Sequence, residues 1–402
     1  MGRRDSRRRD SGRDYGRDRK RNNGRDYGRD RKRNQGRDER RDGRRLSRRE
    51  QELRRQKQRK KRKRRILILI VELFLLCVLG IAAFAMFKLD LLNSTSLNGL
   101  LNNGLSQEGY MNVALFGTDN RKGETAGVRS DCIIVASINN ETKEVKLLSV
   151  YRDTFLKTGD ETYDKANSAF ALGGPEAAIN MLNRNLDLDI EDYVSVNFLA
   201  LADVVDLLGG IDLDLSAAEV VHMNNYCVET SEITGKSYER IEPEEAGTYH
   251  LNGVQAVSYT RIRYTDGGDF QRTARQRLVI EKIVEKAKKA KLSTINNIID
   301  TVFPEISTSF TSAEIIKLSA GLMKYSIGES QGFPQETALP ESIPGYSGAY
   351  VVPVGLEQNV RWAHEFLFPD KEYEPTEILT QISSDISYLT GIYPETSESG
   401  EE

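Results

Sequence analysis

Residues that commonly do chemistry are scarce in this 402-residue chain, which has three histidines, three cysteines and one tryptophan. With only His222, His250 and His364 available as imidazole bases, a Ser-His-Asp hydrolase is not expected. No G-x-S-x-G, H-E-x-x-H or C-x-x-C signature is present either. Three cysteines make no disulfide framework. Cys77 falls in a long apolar run, which leaves Cys132 and Cys227 as two free thiols, or as one bridge if their Cα atoms lie within about 7 Å. Net charge is nearly absent as well, with 58 Lys+Arg against 60 Asp+Glu.

That balance hides an asymmetry. Residues 1–65 hold 32 of the basic and 11 of the acidic residues, so a tail near +21 is joined to a body near −23. The tail has almost no apolar residues and repeats at a period of twelve, Gly12 to Asn22 recurring as Gly24 to Asn34. It cannot bury a core and is expected to be disordered. Ile66 to Phe87 is apolar except for Glu72, and its 22 residues reach about 33 Å, enough for a bilayer. We read it as a transmembrane signal-anchor helix; a cleaved signal peptide is the competing reading, but the run is long for one and follows 65 residues of tail. The basic block Lys60 to Arg65 places the tail in the cytoplasm and everything after Lys88 outside the cell membrane. Anionic membrane lipids are the expected partner of the tail. Nucleic acid is disfavoured, because the only interleaved aromatics are Tyr15 and Tyr27 and no DNA- or RNA-binding motif occurs.

Residues 88–108 read as a polar linker, and Tyr110 to Pro394 has the composition of one globular domain. We divide it into 109–292 and a helical accessory region at 293–394, with a frayed acidic end at 395–402. Strand-like and helix-like runs alternate. Met111 to Phe116, Cys132 to Ile138, Val145 to Val150, Tyr193 to Phe198 and Ile211 to Leu215 read as strands, and Pro175 to Leu186 and Leu199 to Leu208 as helices. This predicts an α/β fold, a layered α-β-α domain with a central mixed sheet. Residues 216–250 read as an irregular, acidic surface excursion, densest from Glu239 to Glu245.

The most informative stretch runs from Arg261 to Arg277, with five arginines and two glycines in seventeen residues. Val254 to Tyr264 is β-rich, so Arg261 and Arg263 are expected to share a strand face, about 7 Å apart. Gly267-Gly268 breaks the strand. Asp269 then serves as N-cap of a helix from Phe270 to Lys291, whose apolar face carries Val279, Ile280, Ile283, Val284 and Ala287. Its first turns present Arg272, Arg275 and Gln276. Planar guanidiniums beside a helix start favour a diphosphate-like anion, since forked donors match phosphate oxygens. Asp119 closes one strand and Asp131 opens the next, compatible with one sheet edge. Paired carboxylates near a phosphate site are a usual way to hold Mg²⁺; the plain alternative is two turn-forming aspartates.

Asn112 to Arg121, Arg129-Ser130-Asp131, Ser149-Val-Tyr-Arg152-Asp153, Gly209-Gly210-Ile-Asp-Leu, and Tyr259-Thr-Arg261-Ile-Arg263 through Asp269-Phe-x-Arg272-x-x-Arg275-Gln276 resemble, in that order, the LytR-CpsA-Psr family. The resemblance covers Tyr110 to Lys291. It implies a membrane-anchored enzyme facing the wall, which moves a glycopolymer of teichoic acid or capsule type from a polyprenyl diphosphate carrier to peptidoglycan. It further implies that Asp119 and Asp131 hold Mg²⁺, with Mn²⁺ as the alternative ion. Arg152, Arg261, Arg263, Arg272 and Arg275 with Gln276 would grip the diphosphate, Arg129 and Lys165 being further candidates, and a hydrophobic cavity would take the prenyl chain. The catalytic set expected on this resemblance is Asp119, Arg152, Asp153 and Arg263, with Asp119 or Asp153 as base. Cys132 stands where the family often has threonine, and Tyr151 where many members have proline. Two other functions compete: an envelope regulator acting through the basic tail, and a plain polyprenyl-diphosphate phosphatase.

Overall fold

The computed structural model describes residues 93–101, 104–119, 127–265 and 267–395. The expected tail and the span at 66–87 lie outside these residues, as does most of the acidic end. Among the described residues, no helix is long and apolar enough to cross a membrane.

Seven strands form one mixed sheet. They are β1 (Asn93–Ser94), β2 (Tyr110–Thr118), β3 (Ser130–Asn139), β4 (Glu144–Val150), β7 (Asp192–Asn197), β10 (Ile306–Thr308) and β11 (Ser326–Phe333), in the spatial order β1-β10-β7-β2-β3-β4-β11. β2 and β3 pair antiparallel, as do β3 and β4, while β2 with β7 and β4 with β11 run parallel. The carboxyl ends of β2, β4, β7 and β11 therefore share one edge of the sheet, the side on which open α/β sheets place their ligands. Outside it, β5 (Phe155–Lys157) pairs antiparallel with β6 (Tyr163–Lys165), and β8 (Ile211–Leu215) with β9 (Gly247–Leu251).

Both faces of the sheet are covered. Phe116, Ile133, Val135 and Leu148 point to one side, where they pack with α1 (Ser168–Leu186), α8 (Leu356–Leu367) and α9 (Glu377–Thr390). Ile134, Ala136 and Leu147 point to the other, against Ile280 of α5 (Gly268–Lys289). Beyond α5 lies a second core, built from α2 (Phe198–Leu207), α3 (Ala217–Thr234), α4 (Gly253–Arg261) and the β8–β9 pair. The α-β-α layering expected from the alternating pattern is the one observed.

Four local expectations need correction. Val254 to Tyr264 is not a strand: Asn252 and Gln255 form a capping box that starts helix α4, and Val254 and Val257 are spaced to share one helical face. Residues 217–234 are not irregular but form α3, fixed by the Ser216–Glu219 capping box and a left-handed Gly235 at its end. Its polar sequence hides the period. Helix α5 starts from Gly267 at φ 84°, so Asp269 sits inside the first turn instead of capping it. Helix α1 begins at Ser168, seven residues before Pro175, and kinks at Gly173 and Gly174. The C-terminal stretch contains α6 (Leu292–Val302), α7 (Ser312–Gly321), α8 and α9, yet it also supplies β10 and β11 to the sheet, where their partners are distant in sequence.

Candidate active site

Hairpin register sets the first pair of carboxylates. Thr118 lies opposite Ser130, so Asp119 and Asp131 follow at the same end of β2 and β3. Asp119 is exposed, whereas the Asp131 side chain is only 17 % exposed. Three guanidiniums meet Asp131: Arg152 Nη1 at 3.1 Å, from the turn after β4; Arg263 Nη2 at 3.1 Å, from the turn after α4; and Arg272 Nη2 at 2.9 Å, from the second turn of α5. Ile262, fully buried between Arg261 and Arg263, anchors the chain where it leaves α4.

Further ion pairs extend the cluster. Arg152 Nε lies 3.3 Å from both Asp269 Oδ2 and Asp153 Oδ2, and Lys165 Nζ lies 2.8 Å from Asp153 Oδ1. Burial alone would raise the Asp131 pKa, but Arg272, Arg152 and Arg263 together outweigh it and hold this carboxyl below its usual range. Burial, with Arg272 and Arg152 alongside, pulls the Arg263 pKa down, so an arriving anion would relieve that repulsion. Arg272 has two buried nitrogens without hydrogen-bond partners, Nε and Nη1, the latter 3.6 Å from Asp269 Oδ1. Buried polar groups are nearly always satisfied, so unmet donors beside a cluster of cations point to an anion not drawn from the chain.

Behind this cluster lies an apolar cavity of ≈ 220 Å³ between the sheet and helices α2 and α5. Leu115, Ile134, Val194, Val196, Leu201 and Val279 form much of its wall, and its charged lining residues are Asp131, Arg261 and Arg272. Cys132 also lines it; burial pushes that thiol up to about 12, so it stays neutral. Cys132 and Cys227 are both free thiols.

Not every sequence candidate reaches Asp131. Arg275 is committed elsewhere, with Nε 2.9 Å from Glu219, Nη1 3.3 Å from the Ile262 carbonyl and Nη2 2.6 Å from Thr265 Oγ1. Arg261 lines the cavity but bonds to Thr230 and Glu229 of α3 and lies over the rings of Phe198 and Tyr226. The expected pairing of Arg261 with Arg263 on one strand face fails because Arg261 ends a helix. Arg129 is exposed and shares a separate hollow with Lys165. The sequence pattern marks Asp269 only as a cap and gives Arg277 and Asn167 no role. Arg277, whose Nε and Nη1 are buried without partners, was detectable as a charge on the sheet-facing side of α5.

Residues 89–335 match the LytR_cpsA_psr family model. The chain is 31% identical over 242 residues to the polyisoprenyl-teichoic acid–peptidoglycan teichoic acid transferase TagU of Enterococcus faecalis, covering 58% of this chain and 74% of that protein. It is 32% identical over 207 residues to the protein of the same name from Halalkalibacterium halodurans, covering 51% and 62%. Across three such relatives the match spans 62 to 67% of their length. The fold is similar to that of a crystallised Streptococcus agalactiae protein, at a TM-score of 0.54 and 24% identity over 73% of this chain and 95% of that one. With the family match extending over more than half of its residues, from ahead of β1 to past β11, the chain belongs to the LytR_cpsA_psr family.

Proposed function

We propose that the protein is a membrane-anchored, extracytoplasmic phosphotransferase that moves an anionic glycopolymer of teichoic acid or capsule type from a polyprenyl diphosphate to peptidoglycan. The observation that carries this reading is the placement of Arg152, Arg263 and Arg272 on one carboxylate beside an apolar cavity. A lipid diphosphate has that same division between a long apolar chain and a compact double charge. The names of the curated relatives support the substrate class.

Phosphoryl transfer asks chiefly for positioned cations around developing oxygen charge. In the reading we favour, an acceptor sugar hydroxyl attacks the phosphorus distal to the carrier. The new O–P bond forms as the bridging P–O bond breaks, polyprenyl phosphate leaves, and the hydroxyl proton passes to Asp119 or Asp153. Arg152, Arg263 and Arg272 steady the departing oxygens; the partly exposed Arg263 is the most accessible of the three. Asp119 and Asp131 are oxygen donors at one hairpin end and would hold Mg²⁺ or Mn²⁺ together with substrate oxygens, Asp131 then sharing its oxygens between the ion and its guanidiniums. When bound there, the ion would neutralise part of the diphosphate charge.

The test is transfer from a polyprenyl diphosphate-linked glycan, with and without a peptidoglycan acceptor. Acceptor-dependent release of polyprenyl phosphate, lost in Arg263→Ala, supports the reading. Acceptor-independent phosphate release would make the protein a diphosphatase instead.

A further inference from the structure

The cation cluster has a second neighbour besides the apolar cavity. The ion-pair chain Arg152–Asp153–Lys165 leads into a polar hollow of ≈ 450 Å³, whose lining includes Arg129, Tyr163, Lys165, Asn167, Tyr346 and Tyr350. Its frame is aromatic. Phe155, fully buried, packs on the rings of Tyr163, Tyr346 and Tyr350 at centroid separations of 5.9, 4.8 and 5.4 Å. The Tyr350 hydroxyl donates to Asp164 Oδ1 at 3.0 Å and that of Tyr163 to Asp385 Oδ2 at 2.7 Å, so these two rings are fixed. Tyr346 is partly exposed.

Asn167 supplies an independent sign that the hollow takes a ligand. It occupies the N-cap position of α1, yet its side chain does not cap the helix. The residue is 3% exposed, and its Oδ1 is buried without a hydrogen-bond partner. A buried amide oxygen left unpaired is costly, and a ligand hydroxyl or amide N–H at this wall would offset that cost.

The hollow is also registered to the phosphate site. The Phe155 N–H donates to the Val351 carbonyl at 2.8 Å, and the Val351 N–H to the Asp153 carbonyl at 2.9 Å. The loop bearing Tyr346 and Tyr350 is thereby pinned to the segment that bears Asp153. Lys165 Nζ lies 5.2 Å from the Tyr350 ring centroid and 2.8 Å from Asp153, joining the two sites. Tyr346 and Tyr350 fall beyond residue 335, after the stretch that matches the family model.

We infer that this hollow binds the sugar attached to the diphosphate of the donor, with the Tyr346 ring against a pyranose face and Asn167 Oδ1 accepting from a sugar hydroxyl or acetamido N–H. The inference rests on the proposed transfer from a polyprenyl diphosphate. It deepens that reading: Asp131, Arg152, Asp153 and Lys165 link the apolar cavity, the cation cluster and the hollow in turn, matching the connectivity of lipid, diphosphate and sugar. Residues outside the family match then select the glycan.

The experiment compares binding of a polyprenyl diphosphate without sugar and of the same lipid bearing one N-acetylhexosamine, in the full chain, in Tyr346→Ala and in Asn167→Ala. Both variants are expected to lose about tenfold in affinity for the sugar-bearing lipid, the scale of one aromatic contact or one buried hydrogen bond. Binding of the sugarless lipid should stay within about twofold, which also reports that the variants are folded. Equal losses for the two lipids in both variants, or no loss in Tyr346→Ala, would overturn the inference while leaving the lipid diphosphate reading intact. A loss seen only as a raised KM for a soluble peptidoglycan disaccharide-peptide would assign the hollow to the acceptor and overturn the donor assignment. Failure of the unaltered chain to bind either lipid would bring down the proposed function, and the sugar site with it.

Discussion

Replacing Asp131 by asparagine tests the centre of the site without changing its shape. The carboxylate is 17 % exposed and serves three guanidiniums, of which Arg272 is 3%, Arg152 18% and Arg263 38 % exposed. Arg263 is screened by solvent and loses little, and Arg152 keeps Asp153 and Asp269. Arg272 bears most of the loss: Asp131 accepts its one short bond, its Nε lacks a hydrogen-bond partner, and its Nη1 keeps only a 3.6 Å ion pair with Asp269. Breaking a buried ion pair costs about 3–5 kcal/mol, and the remaining amide oxygen argues for the low end, about 3 kcal/mol. For a domain of this size that lowers Tm by about 6 °C, readable by calorimetry of the full chain.

The pH dependence has a definite sign. Asp131 is depressed in the folded state, so its contribution is fully present above the unfolded value of about 3.9 and is lost as pH falls through the lower folded value. The Tm gap between the two proteins should be constant from about pH 5 to 8 and close only below about pH 4. Inorganic diphosphate should raise Tm more in the variant than in the unaltered protein, because it meets guanidiniums that have lost their carboxylate; at a hundred times Kd the gain is about 2.7 kcal/mol. A Tm for Asp131→Asn within about 1 °C of the unaltered protein, without added anion, would refute the reasoning.

Three further outcomes are expected. Arg263→Ala should abolish glycopolymer transfer while shifting Tm by less than about 2 °C, and Arg263→Lys should restore little, since an ammonium lacks the bidentate fork. Arg275→Ala should behave as a stability mutant, costing about 3 kcal/mol in denaturant unfolding; Glu219→Gln should cost less, and the double variant about as much as Arg275→Ala alone. Transfer should stop on chelation and return with added Mg²⁺, and Asp119→Asn should raise the Mg²⁺ concentration required, as followed by polyprenyl phosphate release.

Strands β2, β3 and β4 were readable because each carries its own apolar run, and periodicity is a local property. The positions of Asp119 and Asp131 at one edge followed from the same pattern, since a hairpin brings its two ends together. Helix α3 was not readable, because its polar face and apolar face are weakly separated and its capping box alone marks its start.

What the sequence determined by itself is the α/β layering, the paired aspartates and a cluster of arginines around a glycine break. Tertiary structure alone decided which arginines meet Asp131, since Arg263 and Arg272 lie 132 and 141 residues away and reach it only when α4 and α5 pack beside the sheet. It also turned Arg275 toward Glu219, placed β10 and β11 in the sheet, and set Tyr346 and Tyr350 around Phe155. The physical reason is that side-chain periodicity encodes which face of an element is buried, whereas long-range partners are chosen by how the buried faces fit together.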